Sequence, residues 1–255
     1  MSRRLAVDGN DELAELQRTF NEMLDRLDGA FGQLKESVEN QRRFTADASH
    51  ELRTPLTKIL LAASGAKEPG ANPMEAAHTV EVAARQMQTL VDQLLLLSRA
   101  DSGQLALSLE RLDLRVLVAE AVDELPDASA RVAATFPEEA VFVLGDFDHL
   151  RRCFRNLVEN ALRYSAPDSQ VRVQVTCQAD QAQVSVEDHG IGIGAADLLR
   201  LGERFFRANP ARTHGEGTGL GLAIAKTIVQ AHQGRLEFQS AEGKGTTVEV
   251  FLPAS

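Results

Sequence analysis

No run of about 18 uncharged apolar residues occurs in this chain, and its start, Met1-Ser2-Arg3-Arg4-Leu5-Ala6-Val7-Asp8, lacks the apolar core of a secretory leader. Neither a membrane span nor a signal peptide is expected, and the chain as given should be soluble. Long basic runs are missing too. With a formal net charge of -10, a general nucleic-acid binder is disfavoured, because phosphate backbones are held by clustered Lys and Arg. Cysteine is scarce: Cys153 and Cys177 form no Cys-x-x-Cys pattern, which points to two buried thiols in a reducing compartment. What is present, 44% hydrophobic and 25% charged residues over 255 positions, suffices for two modest domains.

The first half reads as helix. Leu13, Leu16, Phe20, Met23, Leu27 and Ala30 step by three and four in alternation, a heptad seam. Leu34 and Val38 then follow at fours, a stutter that would locally unwind a coiled coil. Such a seam has no partner in its own segment and implies self-association or docking on another helix. Next comes a stretch, residues 44–57, in which His50 and Glu51 sit side by side. Leu52, Leu56, Ile59 and Ala63 recur at steps of four, three and four and are expected to form a buried seam. His50 and Thr54 lie on a different, more exposed face. Pro55 has no N–H for the Glu51 carbonyl and crowds it, so a kink is expected one turn after His50.

Gly65, Pro69, Gly70, Asn72 and Pro73 read as the turn of a helical hairpin. A second helix starts near Pro73, with the seam Val80, Ala83, Met87, Leu90, Leu94 and Leu97, and Ser102-Gly103 closes it. Two antiparallel helices expose too much to fold well alone, whereas two copies make a four-helix bundle. A homodimer follows.

From Leu105 the pattern becomes mixed. Residues 114–125 suit a helix, 132–136 and 141–144 suit strands, and 146–164 are helical again. Val171, Val173 and Val175, then Val184 and Val186, alternate as half-buried strands around a turn at Ala179-Asp180. A helix over about 218–232 and strands over 235–239 and 246–252 finish the chain. Strands and helices are interleaved without strict alternation, which fits an α+β two-layer sandwich with helices on one face.

Three constellations here can carry chemistry. Asn156, Asn160 and Arg163 share one stripe of a helix; amide oxygens suit Mg²⁺ held together with substrate phosphates, and a guanidinium suits phosphate oxygens. Asp188-His189-Gly190-Ile191-Gly192-Ile193 follows a strand, where a carboxylate can accept from an exocyclic amine and glycines allow close approach to a flat ring. Gly215, Gly217, Gly219 and Gly221 alternate with Glu216, Thr218 and Leu220 before a helix, a phosphate-binding device matching neither the Walker nor the Rossmann spacing. Between the glycine clusters, Glu203-Arg204-Phe205-Phe206-Arg207 and Arg212 lie in a stretch, 194–217, that reads as a mobile lid over the nucleotide.

Taken together these residues resemble a bacterial sensor histidine kinase of two-component signalling, a likeness that covers nearly the whole chain. Residues 44–57 are similar to the family's phosphoacceptor box, 156–164 to its asparagine box, 188–193 to the first glycine box, 203–207 to the phenylalanine box, and 215–221 to the second glycine box. Gly9 to Leu13 and Phe20 to Leu24 resemble the second helix of a HAMP signalling module. The family usually carries membrane spans and a sensor upstream, so a piece of a membrane receptor is expected, on the cytoplasmic side of the bacterial inner membrane.

The resemblance implies this division: 1–40 a partial HAMP helix and coiled coil, 41–102 a dimerisation and phosphotransfer hairpin, 103–110 a linker, 111–255 a catalytic ATP-binding domain. It also implies that His50 attacks the γ-phosphate of ATP, with Glu51 orienting it or taking its proton and Thr54 supporting the reverse, phosphatase reaction. The partner would be an aspartate on a response regulator receiver domain. Mg²⁺ would sit on Asn160, aided by Asn156, with Arg163 or Arg204 near the phosphates, and Asp188 would hold the adenine. Tyr164, Gly190, Gly192, Ile193, Phe205, Arg207, Gly215, Gly217, Thr218, Gly219, Leu220, Gly221 and Thr246 complete the implied nucleotide set. ATPase clamps of the GHKL superfamily share the asparagine and glycine boxes, and a non-catalytic, nucleotide-sensing scaffold is a further alternative. His50-Glu51 on a dimerising hairpin separates a kinase from the clamps.

Overall fold

The apolar stripe of the first half forms a single helix, α1, Glu12–Gly65, in a computed structural model that describes residues 12–67, 72–126, 128–208 and 217–255. The chain divides into two units, Met1–Thr57 and Lys58–Ser255. In the first, Leu16, Phe20, Met23, Leu27, Leu34 and Val38 all stand exposed. A heptad seam left in water has no partner within its own unit. Gly9, Asn10 and Asp11 of the HAMP-like pattern, and the side chain of Leu13, lie outside the described residues.

The helix continues through Pro55. Thr45, Ser49 and Thr57 donate their hydroxyls to carbonyls four residues back, at 2.9, 2.8 and 2.8 Å, so small polar residues around His50 are absorbed into the helix rather than breaking it. The seam expected there needs correction. Leu52 and Ile59 are half-buried, but Leu56 and Ala63 are exposed, and Pro55 is buried instead. Leu60 and Leu61, in the second unit, are exposed as well.

The second unit opens with the last turns of α1. Of the expected hairpin turn, Pro69 and Gly70 lie outside the described residues. Then α2, Pro73–Asp101, starts at Asn72, whose side chain accepts from Met74 N at 3.1 Å, a cap that satisfies one orphan donor. Ala83, Leu90 and Leu97 of its seam are buried and Val80, Met87 and Leu94 half-buried, with Leu96 added to the core.

The sandwich follows: β1 Glu110–Asp113, α3 Leu114–Asp123, α4 Ala128–Arg131, β2 Val132–Thr135, β3 Phe142–Gly145, α5 Phe147–Tyr164, β4 Val171–Gln178, β5 Gln181–Asp188, α6 Ala195–Leu198, α7 Gly221–Ala231, β6 Arg235–Ala241 and β7 Gly245–Pro253. Five strands lie in the order β2-β4-β5-β7-β6, with β2 parallel to β4 and the other pairs antiparallel. Strands β1 and β3 make a separate antiparallel pair; β1 had no alternating apolar signal to announce it, and α7 begins at Gly221, not near residue 218. On one face Val171, Val173, Val175, Val184, Val186, Val248 and Val250 meet Leu150, Phe154 and Leu157 of α5 and Ile224 and Ile228 of α7, all buried. The opposite face is polar, with Arg172 on Glu187 and Gln183 on Glu249. Of the two thiols, Cys153 is buried and Cys177 exposed. Cys177 shares the inward parity of the β4 valines but sits at the strand's end beside the turn, where the helices no longer cover it.

One buried histidine ties the end of α7 to the start of α5. His232 bonds through Nδ1 to the Ile228 carbonyl at 2.7 Å and through Nε2 to the Asp146 N–H at 2.9 Å. The ring is therefore neutral, with its proton on Nδ1. Burial depresses its pKa, against the opposing pull of the Ile228 carbonyl. A depressed native pKa leaves the histidine's contribution intact above about pH 6.5, its ordinary value, and removes it as pH falls towards the native pKa. His232→Ala should cost about 1–3 kcal/mol at pH 8, the penalty for stranding a buried donor. Urea titrations at pH 8 and 5 should show that difference shrinking; a constant difference would contradict the neutral-ring assignment.

Candidate active site

At the end of β5, Asp188 is buried, and its Oδ1 accepts from the Gly190 N–H at 2.8 Å. Burial raises its pKa, while the backbone N–H groups of Gly190 and Thr246 pull in the opposite direction. The loop that leaves Asp188 is built from close backbone approaches. A Cβ on Gly190 would overlap the Tyr164 carbonyl, and one on Gly192, where φ is +62°, would overlap the Ala241 carbonyl. Only glycine fits these positions. Ile193 N donates to Ser240 Oγ at 2.9 Å, and Gly243 N to the Ile191 carbonyl at 2.8 Å. The loop is thus fastened to the β6–β7 hairpin on one side and to the end of α5 on the other.

The α5 stripe faces the second glycine cluster. Asn156 Nδ2 reaches the Gly221 carbonyl at 3.4 Å, and a Cβ on Gly221 would sit 3.5 Å from Asn160 Nδ2. Arg163, bonded to Glu159 at 2.9 Å, lies so close to Gly217 that a side chain there would overlap its guanidinium. Two amides, one guanidinium and the start of α7 therefore meet in one place, with Tyr164 connecting them to the Asp188 loop. Leu220 is buried and its N–H bonds to Thr218 Oγ1 at 3.3 Å. Gly215 and Arg212 lie outside the described residues.

The aromatic stretch docks on the second glycine cluster and on the end of α2. Phe205, at φ 60°, donates its N–H to the Gly219 carbonyl at 3.1 Å, which pins it against the second glycine cluster. Arg204 makes a two-pronged contact with Asp101 at the end of α2, at 2.5 and 2.7 Å. A carboxylate at the α2 C-terminus holds this fork of donors. Thr218 Oγ1 similarly reaches Gln93 Oε1 of α2 at 3.2 Å. Phe206 stacks under Arg200 at 4.2 Å, and Arg207 is half-buried. His50 and Thr54 are exposed on α1 in the first unit, with Glu51 half-buried.

Three family models match this chain: a HAMP domain over residues 1–29, a His Kinase A (phospho-acceptor) domain over 40–103, and a Histidine kinase-, DNA gyrase B-, and HSP90-like ATPase over 145–255. The chain belongs to the sensor histidine kinase family. It is 36% identical over 99% of its length to the sensor histidine kinase MtrB of Mycolicibacterium paratuberculosis, and 35% identical over 91% to the sensor protein kinase PmrB of Pseudomonas aeruginosa. It spans about half of those relatives, 46% and 49% of their lengths. The fold is shared with the histidine kinase AdeS of Acinetobacter baumannii, at a TM-score of 0.61 and 24% identity, over 80% of this chain and 97% of that one. Membership of this family implies ATP binding at the ATPase domain. Among the described residues, no helix is long and apolar enough to cross a membrane.

Within this sensor kinase fold, sequence reasoning passed over Ser240 and Gly245. Gly245, at φ +86°, lies where a side chain would overlap the Asp188 carbonyl. The spacing Gly243-Lys244-Gly245-Thr246 before a strand was the available signal, and the inward parity of Ser240 with Leu236 and Phe238 was the other.

Proposed function

We propose that this chain is an ATP-dependent protein-histidine kinase that phosphorylates His50 and passes the phosphoryl group to an aspartate of a response regulator receiver domain. The observation that carries the reading is the convergence of Asn156, Asn160, Arg163, Gly217 and Gly221 next to the Asp188 loop, while an exposed His50 with Glu51 occupies the phosphoacceptor region. Asp188 accepts from the adenine amine, with Gly190, Gly192, Ile193, Tyr164 and Thr246 shaping the ring pocket. The α7 N-terminus and its glycines receive phosphate oxygens. The amide oxygens of Asn160 and Asn156 suit Mg²⁺, a hard cation that keeps waters and phosphate oxygens as its other ligands. Among the described residues no group of three or more His, Cys, Asp or Glu could hold a metal by itself, so phosphate and water would supply most of the shell. Bound Mg²⁺ would neutralise charge on the phosphates.

The neutral imidazole of His50 is the nucleophile in this scheme. Its N–P bond forms as the γ-phosphorus leaves the bridging oxygen, ADP departs, and the ring proton passes to Glu51 or water. Thr54, one turn further, would position water for hydrolysis of the regulator's acyl phosphate. The exposed α1 seam and Leu56, Leu60 and Leu61 support a homodimer closed as a four-helix bundle. The division at 1–40, 41–102, 103–110 and 111–255 stands as part of this reading, as does attachment to the inner membrane through segments outside this chain. Incubation with γ-labelled ATP and Mg²⁺ tests it. An acid-labile, base-stable label that moves to a receiver domain is expected; ATP turnover with unlabelled protein would favour a clamp-type ATPase instead.

A further inference from the structure

Ser240, Thr246 and Asp188 form one row across three neighbouring strands. Ser240 of β6 is paired with Thr246 of β7, and Thr246 with Asp188 of β5. Directly opposed residues in antiparallel strands project to the same face, here the inner one that also carries the buried Val186 and Val248. Ser240 Oγ lies 2.7 Å from the Gly245 carbonyl, 2.9 Å from Ile193 N and 2.9 Å from Thr246 Oγ1.

These three contacts fix the direction of every hydrogen bond in the row. A hydroxyl has one hydrogen and two lone pairs. The Gly245 carbonyl only accepts, so the Ser240 hydrogen goes there. The Ile193 N–H only donates, and it uses one Ser240 lone pair. Thr246 is left to donate to the other, and with its hydrogen committed it can only accept on its remaining side. Beside it, the Asp188 carboxylate, with Oδ1 already receiving the Gly190 N–H, is also an acceptor.

We propose that Ser240 is the positioning residue that makes this pocket selective for a 6-aminopurine over a 6-oxopurine. It does not touch the base. By holding the Thr246 hydrogen it leaves two adjacent acceptors, Thr246 Oγ1 and the Asp188 carboxylate, facing the edge of the ring. An exocyclic amine can donate to them, whereas an oxo group sets its lone pairs against theirs and leaves the ring N1–H as the one donor on that edge. The inference rests on the nucleotide reading of the site and adds to it the residue that sets the pocket's polarity.

Calorimetric titration of the full chain with ADP and with inosine diphosphate, which differ at position 6 and in the proton on N1, tests this. The wild type should prefer ADP. In Ser240→Ala the Thr246 hydroxyl is free to turn and donate, and the preference should fall by roughly 5–100-fold, the range for one mismatched hydrogen bond. Ser240→Thr keeps the hydroxyl and should keep the preference. Thr246→Val should lose it too, and Ser240→Ala should then add nothing, because both act through one hydrogen bond. Equal weakening of both ligands in Ser240→Ala, or no change in either, overturns the proposal. If Ser240→Ala does not fold, Thr246→Val and Thr246→Ser decide: the first should lose the preference and the second retain it, and identical behaviour overturns it. A wild type that binds neither ligand would instead overturn the nucleotide reading itself.

Discussion

His50→Gln should lose at least roughly 10³-fold in label incorporation from γ-labelled ATP, the scale on which removal of a nucleophile acts, with nucleotide affinity unchanged. The glutamine side chain reaches a similar distance, but its amide nitrogen has no free lone pair and cannot attack phosphorus. Glutamine is also at least as good a helix former as histidine, so α1 keeps its conformation. His50 is exposed, and no residue assigned to the nucleotide belongs to its unit. Loss of labelling with intact ADP binding is therefore the expected pair of results. Retained labelling would move the nucleophile to another residue, and a parallel loss of binding would mean that the substitution acts on folding. Residual ATP hydrolysis without labelling would fit a site whose water replaces the missing imidazole.

How much of this was legible beforehand varied with the physics involved. Long periodic segments were read well: the α2 seam and the alternating valines of β4 and β5 follow from burial on one face. The glycine clusters were legible because a Cβ is forbidden where backbone meets backbone, as at Gly190 and Gly192. Three features were not. β1, with Glu110, Arg111, Leu112 and Asp113, has no apolar alternation and is a strand because β3 offers it an edge. The seam of Leu52, Leu56, Ile59 and Ala63 has the right spacing, but spacing states only that a face is apolar, not which molecule covers it. The contact of Arg204 with Asp101 joins residues 103 positions apart in sequence; no local pattern announces a partner that distant.

The row of Ser240, Thr246 and Asp188 illustrates the same limit. Each residue sits at an ordinary inward strand position, and only the register of three strands brings them side by side. Conversely, the stripe of Asn156, Asn160 and Arg163 was visible because one helix carries all three, and helical geometry alone places them together.

Asp188→Asn should unfold at a higher denaturant concentration than the wild type at pH 7, and should bind ADP at least about 100-fold more weakly, as expected when a buried group built to receive a donor is replaced by one that cannot. Both effects come from the same burial. Because burial raises the Asp188 pKa above its ordinary value, the stabilising contribution linked to its proton is complete only below the unfolded pKa, near 3.9. It is lost as pH rises through the native value. Ionisation of this carboxylate is disfavoured in the native state, where a neutral group is better tolerated. Asparagine supplies that neutral group and can still accept the Gly190 N–H through its oxygen. The stability gain should disappear as the pH is lowered and aspartate itself becomes protonated. With the asparagine oxygen held by Gly190, its NH₂ faces the pocket and opposes the adenine amine, donor against donor. The same NH₂ can serve a 6-oxo group, so inosine diphosphate should lose far less affinity than ADP. A variant less stable than the wild type at pH 7 would show that the two N–H groups on Asp188 outweigh its desolvation, reversing the sign of the argument.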